Sequence, residues 1–293
     1  QKLPIDTQAA IALAACVGAQ FDLNTLAIVL ERSPAETAMA LWSGLQENLL
    51  IPTTDIYKFF NKSGSRSVSN VEANPVYRFL HDRVQQAAYS LIADNHKQAT
   101  HLKIGQLLQQ NSSELVREEK LFDIVGHLNL AKELITDPCD RQMLVDLNFN
   151  AGRKARNSIA YAAANIYLQT GIELLDVNCW ETQYQLSLDL HVAAAEAAYL
   201  EGHLERMEQI AGVVLRSAQT ILDKVEIYRI QIAAMTANGK MLEAIAIGRN
   251  TLAQLGIDLP ATPDEALTGK ALQTLDRQLQ GRAIEDLLHL PAM

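Results

Sequence analysis

Residues Tyr77–Ile92 read YRFLHDRVQQAAYSLI, and the period of the chain changes inside this stretch. Tyr77 and Phe79 alternate with Val76, Arg78 and Leu80, the pattern of a short strand. Asn74-Pro75 just ahead is a turn signal. From His81 the period lengthens. Val84, Ala87, Ala88, Leu91 and Ile92 recur at three and four residues, the apolar stripe of a helix. Asp82 falls in the first turn, where a carboxylate offsets the helix dipole. His81 is thereby placed at a strand-to-helix junction, where its simplest role is to cap or to pack.

Upstream of this stretch the sequence predicts a compact module. Ala10, Ile11, Leu13, Ala14 and Val17 give a first helix, stopped by Gly18, and Leu23–Leu30 gives a second. Ser33-Pro34-Ala35-Glu36 opens a third, with Ser33 as cap, Pro34 at the first helical position and Glu36 closing a capping box. Leu49–Pro52 reads as a strand and Ile56–Phe60 as its continuation or partner. Asn61–Asn74 is polar and serine-rich, a loop tip. Val76–Leu80 closes the hairpin. Three helices and a hairpin predict a winged helix over residues 1–93.

Downstream, from residue 94 to 293, the pattern is helix after helix. Stripes fall at His101, Ile104, Leu107 and Leu108, with Gly105 marking a close contact, and at Leu121, Ile124, Val125 and Leu128. Further stripes fall at Ile159, Ala163, Ile166 and Tyr167, and at Val225, Tyr228, Ile232 and Met235. The turns at Asn157-Ser158, Glu201-Gly202 and Asn238-Gly239 recur at roughly 40-residue spacing, which predicts antiparallel helix pairs stacked as a solenoid. Leu255-Gly256 stops the last full pair, and residues 263–290 predict two more helices. The fold class expected is therefore mostly α: a small winged helix followed by a TPR-like α-solenoid.

Composition narrows the function. Hydrophobic residues make up 48% of the 293 and aromatics 5%, which suits close helix packing rather than disorder. The formal net charge of −9 argues against nucleic acid or an anionic membrane as partner. So does the third helix, Pro34–Asn48, the one that would enter a major groove: it carries Glu36 and Glu47 and no Lys or Arg to reach phosphates. No apolar run approaches the roughly 20 residues of a membrane span. Cys16, Cys139 and Cys179 are widely spaced and predict buried free thiols in a reducing cytoplasm. The missing initiator Met and the apolar Leu287, Leu288 and Leu290 near the end predict a piece of a longer protein.

No catalytic constellation emerges. The sequence holds no phosphate-binding Gly-rich loop and no His-Glu-x-x-His, and its seven His are scattered. His127 lies four residues after Asp123, a spacing that favours an incidental or packing contact over a site. No metal set is predicted.

The Phe79–Tyr89 run FLHDRVQQAAY, together with Leu121–Asn129, Ala151–Leu175 and Gly239–Pro260, resembles a region of large bacterial signalling kinases, cyanobacterial ones among them. In these a Ser/Thr kinase domain precedes a STAND-type (AAA-like) ATPase, followed by helical repeats, GAF domains and often a histidine kinase. The resemblance covers nearly the whole chain. It implies a non-catalytic regulatory segment coupling an upstream ATPase to a helical-repeat scaffold. The alternative is the effector-sensing region of a STAND-type transcription regulator. Phe79-Leu80-His81-Asp82 resembles the family's Met-His-Asp motif, with Leu80 in place of Met. By resemblance His81 would sense the nucleotide phosphates and Asp82 would orient it. ATP or ADP with Mg would belong to the parent's ATPase and kinase domains. The implied partners are proteins: the parent's own ATPase and sensor domains, or a protein held in the solenoid groove.

Overall fold

The computed structural model describes residues 3–53, 74–260, 262 and 264–279. The chain divides into two compact units, residues 1–214 and 215–293. The fold is mostly helical.

The first unit opens with α1 (Ile5–Val17), β1 (Gln20–Asp22), α2 (Leu23–Leu30), α3 (Pro34–Gln46), β2 (Leu50–Pro52), β3 (Val76–Phe79) and α4 (Asp82–Tyr89). The capping box at Ser33 and Glu36 forms as the sequence requires, with Pro34 in the first turn of α3. The three strands make an antiparallel sheet ordered β1-β3-β2, with Phe21 opposite Tyr77 and Leu50 opposite Phe79. Strand β1 is a correction. Three residues are too short for an alternation to register, and no strand was expected between Gly18 and Leu23. It places Phe21 against Tyr77 and Phe79, at ring-centroid distances of 5.8 and 6.0 Å. That aromatic cluster packs with Leu23, Leu26, Leu41 and Leu50 beneath α1 and α3. The expected strand at Ile56–Phe60 and all of the loop tip except Asn74 lie outside the described residues.

The unit continues as α5 (Asp94–Asn111), α6 (Glu114–Glu119), α7 (Leu121–Leu130), α8 (Pro138–Asn157), α9 (Tyr161–Leu174), α10 (Cys179–Thr182), α11 (Tyr184–Glu201) and α12 (Leu204–Ser217), whose last turn crosses the unit boundary. Helix α5 packs on α7, α8 on α9, and α9 on α11. Small residues set these approaches. A Cβ added at Gly105 would lie 2.6 Å from Leu128 Cδ2, and one at Gly152 would lie 2.5 Å from Leu168 Cγ. Gly105 is thus the close contact its position in the α5 stripe predicts.

The face of α9 differs from the sequence reading. Its buried residues are Ala164, Asn165, Leu168, Gly171 and Leu174, whereas Ile166 is exposed. The misreading starts at the turn. Ile159 belongs to the turn rather than the helix, with φ +62° and its side chain exposed. A β-branched residue rarely adopts the left-handed region, so apolar periodicity counted it into the stripe. The cysteines also divide: Cys16 and Cys179 are buried as expected, but Cys139, in the first turn of α8, is exposed.

The second unit contains α13 (Ile221–Ala237), α14 (Met241–Gln254) and α15 (Glu265–Leu279). Thr220 and Asp223 form a capping box on α13. Gly239, at φ +75°, turns the chain so that α14 folds back on α13. Ile227, Ile230, Ala234 and Ala244 are buried, and Ile232 of the expected stripe reaches Gly248 of α14, its Cδ1 3.7 Å from where a Cβ there would lie. Among the described residues no helix is long and apolar enough to cross a membrane.

Candidate functional site

Strand β3 ends at Phe79 and α4 begins at Asp82, so His81 is the N-cap of α4. Its carbonyl accepts the Val84 and Gln85 amides at 2.9 and 3.3 Å. Its imidazole makes no capping bond, and the residue is exposed. Asp82 is exposed in the first turn. Neither side chain has a hydrogen-bonding or ion-pairing partner among the described residues. His81 therefore neither caps with its ring nor packs in the core. Both side chains are turned to solvent at a helix N-terminus, where the dipole favours an anion.

Two polar contacts behind this surface tie the N-terminal elements to the helices that follow. The first is built on Asp22, the last residue of β1 and the N-cap of α2. An Asp ahead of the apolar run LNTLAIVL is a cap signal, because a short carboxylate reaches the free amides of the first turn. The Asp22 carboxylate accepts from Thr25 N (2.8 Å), Thr25 Oγ1 (2.7 Å) and Asn74 Nδ2 (2.8 Å). It also accepts from Lys120 Nζ at 2.6 Å. Lys120 sits where α6 gives way to α7, and the pair is mostly shielded from solvent. Burial alone would raise the Asp22 carboxyl. The Lys120 ammonium and the Thr25 and Asn74 donors outweigh it and hold the carboxyl at about 2.

The second contact is a chain of rings. The Tyr89 hydroxyl, at the end of α4, is 3.1 Å from His101 Nε2 on α5. His101 Nδ1 is 2.8 Å from His127 Nδ1 on α7, with the rings stacked at 5.1 Å. Both histidines are buried. Two Nδ1 atoms at this separation share one proton. When Tyr89 donates to His101 Nε2, His101 carries its proton on Nδ1 and gives it to His127, which holds its own on Nε2. Burial keeps both imidazoles neutral, and together with the neighbouring His101 it takes His127 down to about 4. Asp123 makes no ion pair with His127, so the i+4 spacing in α7 was incidental. One helix interface on, Asn129 and Asn148 exchange two amide hydrogen bonds of 2.8 Å between α7 and α8.

The sequence offered no route to either contact. Asp22 and Lys120 lie 98 residues apart, and His101 and His127 lie on different helices 26 apart. Burial of His101 within the α5 stripe was readable; its partner was not. Chemically, the chain of rings can hold and relay a proton. Among the described residues no group of three His, Cys, Asp or Glu side chains converges to hold a metal.

No family model matches the chain, and no solved structure matches it. Among curated proteins it is similar to the hybrid signal transduction histidine kinase G of Dictyostelium discoideum, at 24% identity over an alignment of 331 residues. The similarity takes in 99% of this chain and 10% of that protein, so the chain spans about a tenth of its relative's length.

Proposed function

We propose that this chain is a regulatory and protein-interaction segment of a multidomain signal-transduction kinase, with no catalytic step of its own. In this reading residues 1–93 are a winged helix that conveys the nucleotide state of an upstream STAND-type ATPase, and residues 94–293 are a TPR-like scaffold. ATP or ADP with Mg binds the parent's ATPase and kinase domains, and the assembly works in the cytoplasm. One observation carries the reading: similarity to a histidine kinase extends along 99% of the chain yet occupies only a tenth of that kinase.

Three structural features support it. The order of elements from α1 to β3, with β3 central in the sheet, suits a winged helix. The outward side of α3 presents Met39 and Trp42, 64% and 41% exposed, and the helix has no basic residue. Such a face suits a protein surface and not a phosphate backbone. His81 and Asp82 are exposed at the start of α4, while Tyr89 at its end reaches His101 on α5. A change felt at His81 thus has a short rigid path, about 12 Å of helix, to the rest of the unit.

The test is nucleotide retention by the longer protein that includes the ATPase core, with His81 intact and with His81→Ala. Loss of bound ADP, or a gain of ATP-bound protein, is the expected result. Unchanged occupancy in the variant would refute the nucleotide-sensing role.

A further inference from the structure

We infer that the groove between α6 and the C-terminal half of α8 is a docking site for an acidic peptide segment. The groove encloses roughly 670 Å³. Arg117, Arg153 and Lys154 line it. Each is steadied by an uncharged group. Arg117 Nη1 donates to the Gln109 carbonyl at 3.4 Å, and Lys154 Nζ donates to the Glu118 carbonyl at 2.6 Å. The Arg153 guanidinium lies 5.5 Å from the centre of the Phe149 ring. None of the three has a carboxylate within ion-pair distance among the described residues. Lys120, Lys132 and Arg156, on or beside the same helices, are each held by an acid: Asp22, Glu173 and Glu196. Three positioned cations without a direct ion pair, against the two carboxylates of Glu114 and Glu118, leave the groove an excess of positive charge that is complementary to carboxylates, on a chain whose net charge is −9.

The rest of the lining selects a peptide over a phosphate polymer. Gln109, Asn150 and Asn157 also face the groove. Their amides offer donors and acceptors, as a peptide backbone requires, whereas phosphate oxygens only accept. Glu114 and Glu118 line the same groove and would repel a continuous polyanion. A segment with spaced Asp or Glu side chains can meet the cations and avoid them. Fixing the cations beforehand lowers the entropy lost when such a segment binds.

This deepens the interaction reading by naming a partner chemistry, and its assay needs only this chain without nucleotide. Failure of the His81 experiment would leave it standing. The measurement is fluorescence anisotropy at low salt with three labelled probes: a 12-residue peptide with Asp or Glu at every third position, its Asn/Gln counterpart, and a 12-nucleotide oligothymidylate. The acidic peptide is expected to bind at least about tenfold tighter than the neutral one, and Arg117→Gln/Arg153→Gln to remove that advantage. Glu114→Gln/Glu118→Gln should strengthen binding severalfold, a gain that misfolding cannot mimic. Equal binding of the two peptides, indifference to the arginine pair, or tighter binding of the oligonucleotide would each overturn the proposal.

Discussion

Acid should loosen the contact between α5 and α7 through the buried histidine pair. His127 titrates at about 4 in the folded chain, against about 6.5 for a free imidazole. The folded value is the lower one, so the unfolded chain binds the proton more tightly. The stabilising contribution is then complete above pH 6.5. It is lost as the pH falls from there towards 4. Linkage over that interval gives about 2.5 kcal/mol at pH 4.5. The depressed value of His101 acts in the same direction. The reference is the double variant His101→Asn/His127→Asn, whose amides can pair as Asn129 and Asn148 do and carry no charge at any pH. Urea unfolding followed by far-UV circular dichroism, at pH 7.0 and 4.5, gives both stabilities. The wild-type advantage over the variant should shrink by about 2.5 kcal/mol between the two pH values. If both proteins lose stability equally, the pair does not hold back a proton and the reasoning is refuted.

Removing Lys120 should strand the Asp22 carboxylate in a shielded site. Lys120→Met is expected to destabilise the chain by about 2 kcal/mol, and Asp22→Asn in the same chain to restore part of the loss, both read by urea midpoint. The Asp22 carboxyl is held at about 2, so the stability contributed by this pair persists above pH 4 and is lost only as the pH falls from about 4 towards 2. That acid range lies below the window of the histidines. Gly152→Ala should cost about 1–3 kcal/mol, because the new methyl would meet Leu168 Cγ at 2.5 Å, and Leu168→Ala in the same chain should relieve it. Under native conditions a maleimide should label Cys139 first, because Cys179 is buried and burial pushes the buried Cys16 thiol up to about 11; mass spectrometry of the digested protein reads the order.

The elements were legible wherever a local rule acts alone. Ser33-Pro34-Ala35-Glu36 specified the start of α3, and Gly105 specified a close helix approach. Strand β1 escaped because three residues carry no period, and its existence depends on Val76–Phe79 lying alongside it. The face of α9 was misread because Ile159 occupies a left-handed turn position usually left to Gly or Asn. His81 and Asp82 could be named from their motif, and the structure adds that both are exposed at the surface. The Asp22–Lys120 and His101–His127 contacts join residues far apart in sequence. Their chemistry was visible residue by residue, but the pairing exists only once the helices are packed.

Helix α4 is the shortest mechanical route between the exposed and buried ends of this arrangement. His81 and Tyr89 bracket its eight residues, Asp82–Tyr89. The helix cannot stretch, so a movement at its N-terminus arrives at the Tyr89 hydroxyl almost undiminished. There it acts on a hydrogen bond to His101, which is already committed through Nδ1 to His127. The β-strand side is held differently: Asp22 grips Asn74 just before β3 and Lys120 just before α7 with a single carboxylate. A displacement of β3 therefore strains an ion pair, whereas a displacement of α4 strains a neutral chain of rings. The two links can be separated by salt. Exposed electrostatics weaken with ionic strength and neutral hydrogen bonds do not, so raising salt should soften the Asp22–Lys120 link selectively, within the limit set by its partial burial. A His81 signal that survives Tyr89→Phe but fades in high salt would travel by the strand. One that is lost in Tyr89→Phe and indifferent to salt would travel along α4.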